Sequence, residues 1–542
     1  MSPLDEASDD VLRAILDECG QRELYRLSLV SRRLRVLAEP RLYGTIHSTW
    51  THISDPITFL LLRTVLARPL LAIQIRKLVF QSDPSLFNNI NCGRQIRELP
   101  IKVSPPTDEE ELMKIVAVVR DSGIPAEDAT LWNEEIRWGS VDAPLAVLLS
   151  LLPNLALISL DDDFTRSTTS LRIMLKYVLR TDGLTGVTPF ISDLKSLQTV
   201  TFPGSLGIHT NGWGITVQKN PQFILFVLLF LYSPGIQHLS AIVEDPGLLV
   251  WPTNTTCSSA LTSLFLSKVR EGNLGQILSR CPSLQTLSYY WYVDQDGYSP
   301  LPPFLSCHSL DNSLLHVENS LRSLRIATEF QPTEQNHDDN IPPRGIIGTI
   351  RTLPNFLLLE KLEIPFILLL GPKPSANVKL GELLPPNLRQ LTLTDSFTQF
   401  EEDGWEDPQT LLLVLTNWLD DSAWKTHTSQ LETLELFYKE CYQYITEEVR
   451  QQFKNLDERF GVRVQVTGGV KGNLIKSKSV CGSLLFPRVR EPRWNWQMRA
   501  WFPQQEKTSL NGVSFGEAET DILIPQWPNK QGAKRILMHG TG

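Results

Sequence analysis

One apolar phrase recurs along most of this chain and restricts the folds that are open to it. An apolar residue is followed by two mostly polar residues, a second apolar residue, one more residue and a third apolar residue. The last two apolar positions have the spacing of one face of a β-strand. The phrase begins at Ile75, Leu155, Leu197, Ile236, Leu261, Leu284, Leu321, Leu359, Leu388 and Leu431, with a weaker copy at Ile96.

The phrase alone is weak evidence for a repeat, because a chain that is 42% hydrophobic contains on the order of a dozen such phrases by chance. The segments that precede it carry more information. Several copies follow a segment of helical periodicity, as in APLAVLLSLLP before Leu155 and TLLLVLTNWL before Leu431. Helix, turn and short strand in this order are typical of a leucine-rich repeat. Prolines favour a turn directly before four of the copies, and these are Pro153, Pro234, Pro282 and Pro386.

We therefore predict an α/β fold in which residues 49–469 form an irregular leucine-rich-repeat solenoid, with parallel strands on the concave face and helices outside. The steps from 236 to 261 and from 261 to 284 fall within the usual period of ~20–29 residues, and the other steps lie at or beyond its upper end. A non-repetitive α/β domain of parallel βα units is the other interpretation of the same pattern.

The first fifty residues have the periodicity of three short amphipathic helices. Ser8 is a suitable N-cap for the first helix and Gly20 ends it. The second pattern is expected to split near Ser31, and Pro40 is expected to end the last helix. The apolar stripe of the first helix comprises Val11, Leu12, Ile15, Leu16 and Cys19, and that of the second pattern comprises Leu24, Leu27, Val30, Leu34 and Leu37.

This segment also carries a more specific pattern. Residues 24–38 are LYRLSLVSRRLRVLA and residues 40–46 are PRLYGTI. The pattern resembles the F-box, the adaptor-binding motif of SCF ubiquitin ligases, in which L-x-x-L-S-x-V-S-R/K-x-L-R-x-L-A is followed in many fungal members by P-x-L-Y-x-x-I. One position differs, since the family usually has Leu-Pro where this chain has Ala7-Ser8.

The resemblance implies an F-box domain at residues 1–48 that binds a Skp-family adaptor and, through it, cullin. F-boxes followed by degenerate leucine-rich repeats commonly act as substrate receptors, so the repeats are expected to bind a protein target. A scaffold whose degenerate F-box no longer engages the ligase is the alternative. The residues that the resemblance implies for adaptor binding are Leu4, Val11, Leu12, Ile15, Leu16, Leu24, Leu27, Val30, Leu34, Leu37, Leu42 and Tyr43.

Residues on the strands of the repeats, and in the loops just after them, are the candidates for contact with a target. Asp161, Asp162 and Asp163 follow one apolar phrase, although a solvated loop also accounts for them. The run from Tyr289 to Tyr292 follows another, and Tyr290 and Tyr292 are the candidate binding anchors within it. Core packing of alternate aromatic residues is the competing interpretation of this run.

The C-terminal segment, residues 470–542, has little periodicity and is predicted to be largely irregular. Its run REPRWNWQMRAWFP is suited either to binding a partner or RNA or to packing against the repeats. The acidic stretch from Glu401 to Asp407 is expected to be a solvated connector.

No catalytic or metal-binding pattern is convincing, so neither an enzyme nor a cofactor is predicted. The match GVSFG at residues 512–516 is followed by Asp521 and His539 in hydrolase order, but its hydrophilic surroundings do not fit a nucleophile elbow. The seven cysteines include no Cys-x-x-Cys pair. This argues against a zinc site and a disulfide framework.

The charge and the first residues bear on partners and location. A net charge of −9 gives no general reason to expect nucleic acid or an anionic membrane as a partner. The apolar segment from Phe223 to Tyr232 is too short to cross a bilayer and is predicted to be a buried helix. Because the opening MSPLDEASDD is unlike a signal peptide, a cytoplasmic or nuclear protein is expected.

Overall fold

The apolar phrases form the strands of one large parallel sheet. The computed structural model describes residues 6–50, 56–82, 102–165, 167–179, 194–203, 223–243, 249, 251, 259–293, 304–330, 345–373, 379–396, 405, 407–420, 424–438 and 445–468. Within this part of the chain, twelve strands pair side by side, and each strand lies beside the next sheet strand in the sequence. All of these pairings are parallel.

The strands are short. The sheet strands are β1 (Thr45–Trp50), β2 (Lys77–Ser82), β3 (Leu157–Leu160), β4 (Thr199–Phe202), β5 (His238–Ile242), β6 (Ser263–Ser267), β7 (Thr286–Val293), β9 (Ser323–Phe330), β11 (Lys361–Pro365), β12 (Gln390–Thr394), β13 (Thr433–Tyr438) and β14 (Arg463–Gly468). A separate parallel pair consists of β8 (Phe304–Ser306) and β10 (Gly345–Ile347).

A helix precedes most of the strands in the sequence, as the alternating pattern predicts. The helices are α1 (Asp9–Asp17), α2 (Gln21–Val30), α3 (Arg32–Gly44), α4 (Thr58–Ala67), α5 (Glu109–Asp121), α6 (Ala126–Trp138), α7 (Asp142–Ser150), α8 (Asp162–Thr165), α9 (Thr169–Val178), α10 (Phe223–Leu229), α11 (Glu271–Leu278), α12 (Cys307–Leu314), α13 (Phe366–Leu370), α14 (Leu380–Leu383), α15 (Pro408–Asp420), α16 (Trp424–His427) and α17 (Glu447–Phe460). Short 3-10 turns occur at Pro69–Leu71, Phe230–Tyr232, Leu315–Val317 and Leu353–Asn355.

The second apolar positions of the ten full phrases lie in one continuous row across the sheet, which Ile46 and Val464 extend at its two ends. The residues of this apolar ladder pair with one another in the order Ile46, Leu78, Ile158, Val200, Leu239, Leu264, Leu287, Leu324, Leu362, Leu391, Leu434 and Val464. All of them are buried. Each fully buried aliphatic side chain contributes about 1.5–3 kcal/mol, so the ladder fixes the register of the whole sheet.

The predicted buried helix at Phe223 is confirmed, and it shows how a helix covers the ladder. It forms α10 and the 3-10 turn that follows, and its aromatic side chains pack on the end of β4. The ring centroid of Phe202 lies 5.4 Å from that of Phe226 and 5.8 Å from that of Phe230. The helix is therefore part of the core. No helix in the described ranges combines the length and the apolar character needed to cross a membrane.

Pro40 does not end the last N-terminal helix, and the prediction that it would was wrong. The helix α3 continues through Pro40 to Gly44. A proline inside a helix leaves the carbonyl four residues earlier without its N–H donor. That carbonyl belongs to Val36, which is 69% exposed, so water can replace the missing donor. The chain becomes extended at Thr45 instead, where β1 begins inside the predicted 1–48 domain.

Candidate functional site

Two hydroxyl caps define the three-helix unit, residues 6–44, as the sequence predicts. Ser8 is the N-cap of α1, and its side chain accepts a hydrogen bond from the Val11 backbone N–H at 3.4 Å. Ser31 separates α2 from α3, and its hydroxyl accepts from the Leu34 N–H at 3.2 Å. Such caps satisfy N–H groups that the first turn of a helix leaves unpaired. They fix where α1 and α3 start.

Two arginines of α3 hold α1 alongside it. Arg33 Nε lies 2.9 Å from Asp9 Oδ1, and Arg33 Nη2 also donates to the Ala7 carbonyl at 2.6 Å. Arg41 Nε donates to Asp17 Oδ1 at 2.5 Å, and this hydrogen bond lowers the pKa of the Asp17 carboxyl and raises that of Arg41. The two helices therefore run in the same direction.

These clamps were missed in the sequence, although a signal for them exists. Asp9 and Asp17 are eight residues apart, and so are Arg33 and Arg41. Because an α-helix rises about 1.5 Å per residue, each pair spans roughly 12 Å along one side of its helix. Complementary charges with the same spacing on two predicted helices indicate helices that lie side by side.

The structure divides the residues predicted for adaptor binding into two groups. The buried group forms the interior of the three-helix unit, with Leu27 and Tyr43 half-buried at its margin. The exposed group is available to a partner, and it is accompanied by Leu29 and Val36, which were not predicted. Leu4 lies outside the described residues. The buried members are Leu12, Leu16, Leu24, Leu34, Leu37 and Leu42, and the exposed members are Val11, Ile15 and Val30.

We call Val11, Ile15, Leu29, Val30 and Val36 the aliphatic set. Their exposed fractions range from 43% at Ile15 to 69% at Val36. Val11 and Ile15 are four residues apart and share one side of α1, while Leu12 and Leu16 turn inward. Contiguous patches of exposed aliphatic side chains mark surfaces that bind other proteins, whereas single exposed ones are common.

The three-helix unit is attached firmly to the sheet. The helix α3 leads directly into β1, and the Gly44 carbonyl accepts a hydrogen bond from the Arg76 N–H at 3.0 Å. Arg68 Nη2 donates to both carboxylate oxygens of Glu39 at 2.8 Å. Tyr43 packs against the core of the sheet, and burial raises the pKa of its hydroxyl. A partner held by the aliphatic set is therefore held at a fixed orientation to the sheet.

The face of the sheet opposite the apolar ladder carries the second candidate surface. One residue of each strand forms what we call the outward row. From Val79 to Ser288 the row has no charged side chain, whereas Arg325, Glu363 and Glu435 lie in its later part. The row consists of His47, Val79, Ser159, Thr201, Ser240, Phe265, Ser288, Arg325, Glu363, Thr392, Glu435 and Gln465, in pairing order.

The aromatic run at residues 289–292 lies within β7, and its side chains alternate between the two faces of the sheet. Tyr289 and Trp291 are buried, and the Tyr289 hydroxyl donates to the Val269 carbonyl at 2.7 Å. Tyr290 is half-buried and shares its face with the outward row. Core packing of alternate aromatics is thus confirmed for Tyr289 and Trp291. The side chain of Tyr292 lies outside the described residues.

The three predicted aspartates lie at the end of β3. Asp161 is half-buried, and its backbone N–H donates to the Phe80 carbonyl at 3.0 Å. Asp162 begins the short helix α8, so the segment is not simply a loop. The side chains of Asp162 and Asp163 lie outside the described residues. Only Asp161 can therefore be placed next to the outward row.

The charged end of the outward row contains an ion pair. Arg325 Nε lies 2.8 Å from Glu363 Oε1, and both side chains are half-buried. Burial raises the pKa of the Glu363 carboxyl, Arg325 opposes this shift, and the nearby carboxylate of Glu435 adds to it. The Glu435 carboxylate therefore acts on Glu363 across β12.

Metal ligands and the Cys307 thiol give no site in the described part of the chain. No group of His, Cys, Asp and Glu side chains there is suited to a metal ion. Cys307 is buried, and burial raises the pKa of its thiol to about 12, which makes it a poor nucleophile. The weaker phrase at Ile96, the segments 401–404 and 470–542, and the GVSFG match lie outside the described residues.

The chain was also compared with known proteins. No model of a protein family matches it. No curated protein matches it at a significant level.

Proposed function

We propose that this chain is the substrate-recognition subunit of an SCF-type ubiquitin ligase. In this proposal residues 1–48 are an F-box that binds a Skp-family adaptor and through it cullin, and the remaining strands and helices are irregular leucine-rich repeats that bind a protein target. The chain itself performs no chemistry, and other subunits transfer ubiquitin. The proposed location is cytoplasmic or nuclear.

The aliphatic set carries the adaptor part of the proposal. It lies on the segment whose residues resemble an F-box, and Val11, Ile15 and Val30 belong both to the set and to the residues that the resemblance implies. The clamps of Arg33 and Arg41 keep α1 in place beside α3. A rigid apolar surface loses little conformational entropy on binding, which favours a stable interface.

The sheet supports the target-binding part. Its strands are parallel and follow chain order, and apolar phrases at intervals along the sequence place a buried residue in every strand of the apolar ladder. This arrangement is expected of a repeat protein, in which each unit packs on its neighbours. The opposite face presents one side chain per strand in register, an extended surface of the kind that repeat proteins use to bind other proteins.

The departure at Ala7-Ser8 favours a second candidate function. Ser8 acts here as the N-cap of α1, and the Ala7 carbonyl accepts a hydrogen bond from Arg33. Both residues are thus used within the three-helix unit, at the position where the F-box family has Leu-Pro. A repeat scaffold that binds proteins without engaging a ligase fits this difference.

The two functions are distinguished by adaptor binding. We expect the full chain to co-purify with a recombinant Skp-family adaptor, and the double variant Val11→Asp/Ile15→Lys to lose that binding by about tenfold or more, as interface anchors do. Aspartate in the first turn and lysine in the last turn suit the helix dipole. The thermal midpoint should therefore stay close to that of the unchanged protein.

Leu413→Lys is the matched control, since Leu413 is 62% exposed on α15, and it should leave adaptor binding unchanged. A substitution is preferable to removal of residues 1–50, because β1 belongs to the sheet and its loss would uncover β2. If the unchanged chain does not retain the adaptor, the ligase proposal is wrong and the scaffold function takes its place.

A further inference from the structure

One carboxylate at the charged end of the outward row forms no ion pair with any residue that the structure describes. Glu435 lies on β13, two strands from Glu363, which places their backbones roughly 10 Å apart. Glu363 is paired with Arg325. Glu435 instead accepts hydrogen bonds from two hydroxyls, that of Thr392 at 3.4 Å and that of Thr467 at 3.1 Å. Within the described part of the chain it forms no ion pair.

Two cations that the structure describes on this face do not pair with Glu435. Lys361 and Arg463 lie one row away, opposite Gln390 and Thr433 respectively, and both are exposed. Neither forms an ion pair with Glu435. Each carboxylate oxygen has two acceptor positions, and each oxygen of Glu435 receives one hydroxyl donor. The carboxylate can therefore accept further N–H groups.

A second and independent feature lies beside this carboxylate. Thr394 follows Thr392 by two residues on β12 and so faces the same side of the sheet. It is 6% exposed, and its hydroxyl has no hydrogen-bond partner among the described residues. A buried hydroxyl that lacks a partner destabilises the folded protein. Such a group is expected where a ligand supplies the missing hydrogen bond.

An aromatic residue completes the arrangement. Phe437 pairs with Thr394 in the sheet, lies two residues beyond Glu435 on the same face, and is half-buried. Long basic side chains place their methylene groups on apolar surface and their charge in a polar position. Their cations also bind favourably to an aromatic face. An aromatic ring beside an uncompensated carboxylate is thus suited to a lysine or arginine side chain.

From this geometry we propose that the target-binding face of the sheet takes a lysine or arginine side chain of a partner protein at the site formed by Glu363, Thr392, Thr394, Glu435, Phe437 and Thr467. The basic head binds Glu435 and Thr394, and its stem lies on Phe437. Thr392 and Thr467 hold the carboxylate of Glu435 in place. Arg325 keeps Glu363 occupied, so that Glu435 is the group left for the partner. The inference rests on the proposed role of the sheet in target binding.

Selection with a random dodecapeptide phage library on the full chain tests this site. The enriched peptides are expected to share a lysine or arginine at one position. A peptide synthesised from the shared sequence should bind Glu435→Gln about tenfold or more weakly, because one partner of a charge pair has been removed. The amide keeps the size of the side chain. Glu458→Gln, an exposed position on α17, is the matched control and should bind normally.

A charge exchange makes the test stricter. Glu435→Arg should reject the selected peptide and accept the same peptide with its basic residue changed to glutamate. Thr394→Val should weaken binding without changing this preference. A selection that yields no shared basic residue, or binding that Glu435→Gln leaves unchanged, overturns the inference. Adaptor co-purification is measured on the same variants, and since Glu435 is not part of the aliphatic set, a failure of the ligase proposal is seen separately.

Discussion

Replacing Leu287 with alanine is expected to lower the free energy of unfolding by about 2–5 kcal/mol. Leu287 is fully buried in the centre of the apolar ladder, where it pairs with Leu264 on one side and Leu324 on the other. Removing its side chain takes apolar contacts from both neighbours and leaves a cavity that parallel strands on either side cannot easily close. This is one of the two largest effects that we expect from a single substitution.

Ser288→Ala is the matched control for this experiment. Ser288 is the next residue of β7 and belongs to the outward row, where it is half-buried. Its substitution should change the stability by no more than about 0.5 kcal/mol. Urea denaturation of both variants measures the difference. An equal loss of unfolding free energy in Leu287→Ala and Ser288→Ala would contradict the assignment of alternate residues of β7 to the core and to the opposite face.

The core residues of the sheet could be predicted from the sequence because the recurring apolar phrase marks them. The alternation of buried and outward residues within a strand involves the same residues as the repetition of the phrase from strand to strand. A phrase such as Leu284-Leu287-Tyr289 therefore indicates a strand where a turn precedes it. Each of the ten phrases lies at a strand of the parallel sheet with its apolar residues buried. The split at Ser31 was predictable for a similar local reason, since a hydroxyl cap is a short-range feature.

The prediction at Pro40 failed because it used a local rule, whereas contacts between residues distant in sequence help to hold this helix. Proline disfavours a helix interior through one missing hydrogen bond and a steric clash. At Arg41, two residues that are distant in sequence, Asp17 and Arg13, accept hydrogen bonds from its side chain and hold this part of α3 against α1. Contacts of this kind depend on which helices become neighbours. Periodicity alone does not show that.

The candidate surfaces were only partly predictable, for a related reason. A pattern of apolar residues shows which positions of a helix are apolar, but Val11 and Leu12 are both apolar and only the packed unit separates exposed from buried. Similarly, Glu363 and Glu435 are 72 positions apart in the sequence, as 435 − 363 gives, and become near neighbours only through the register of β11, β12 and β13. Their relation could not be seen before the sheet was known.

Asp142 should give the protein a stability that falls as the pH rises. Its carboxylate is fully buried at the start of α7, and burial raises its pKa to about 6 although the Ser140 hydroxyl donates to it at 2.6 Å and the Ser170 N–H at 2.8 Å. Because the pKa is higher in the folded state than in the unfolded chain, the folded state binds the proton more tightly. The stabilisation is complete below about pH 4 and is lost as the pH rises through about 6.

The variant Asp142→Asn isolates this effect, because other groups titrate alike in both proteins. From below about pH 3 to above about pH 7, the unchanged protein should lose about 3 kcal/mol of unfolding free energy relative to the variant, which corresponds to a shift of about two pKa units. Asp142→Ala should be less stable at every pH, since the first turn of α9 then loses its N–H acceptor. Urea denaturation at a series of pH values measures all three proteins. If the unfolding free energy of the unchanged protein instead rose with pH relative to that of Asp142→Asn, the hydrogen bonds from Ser140, Ser170 and Leu171 would outweigh the cost of burying the charge.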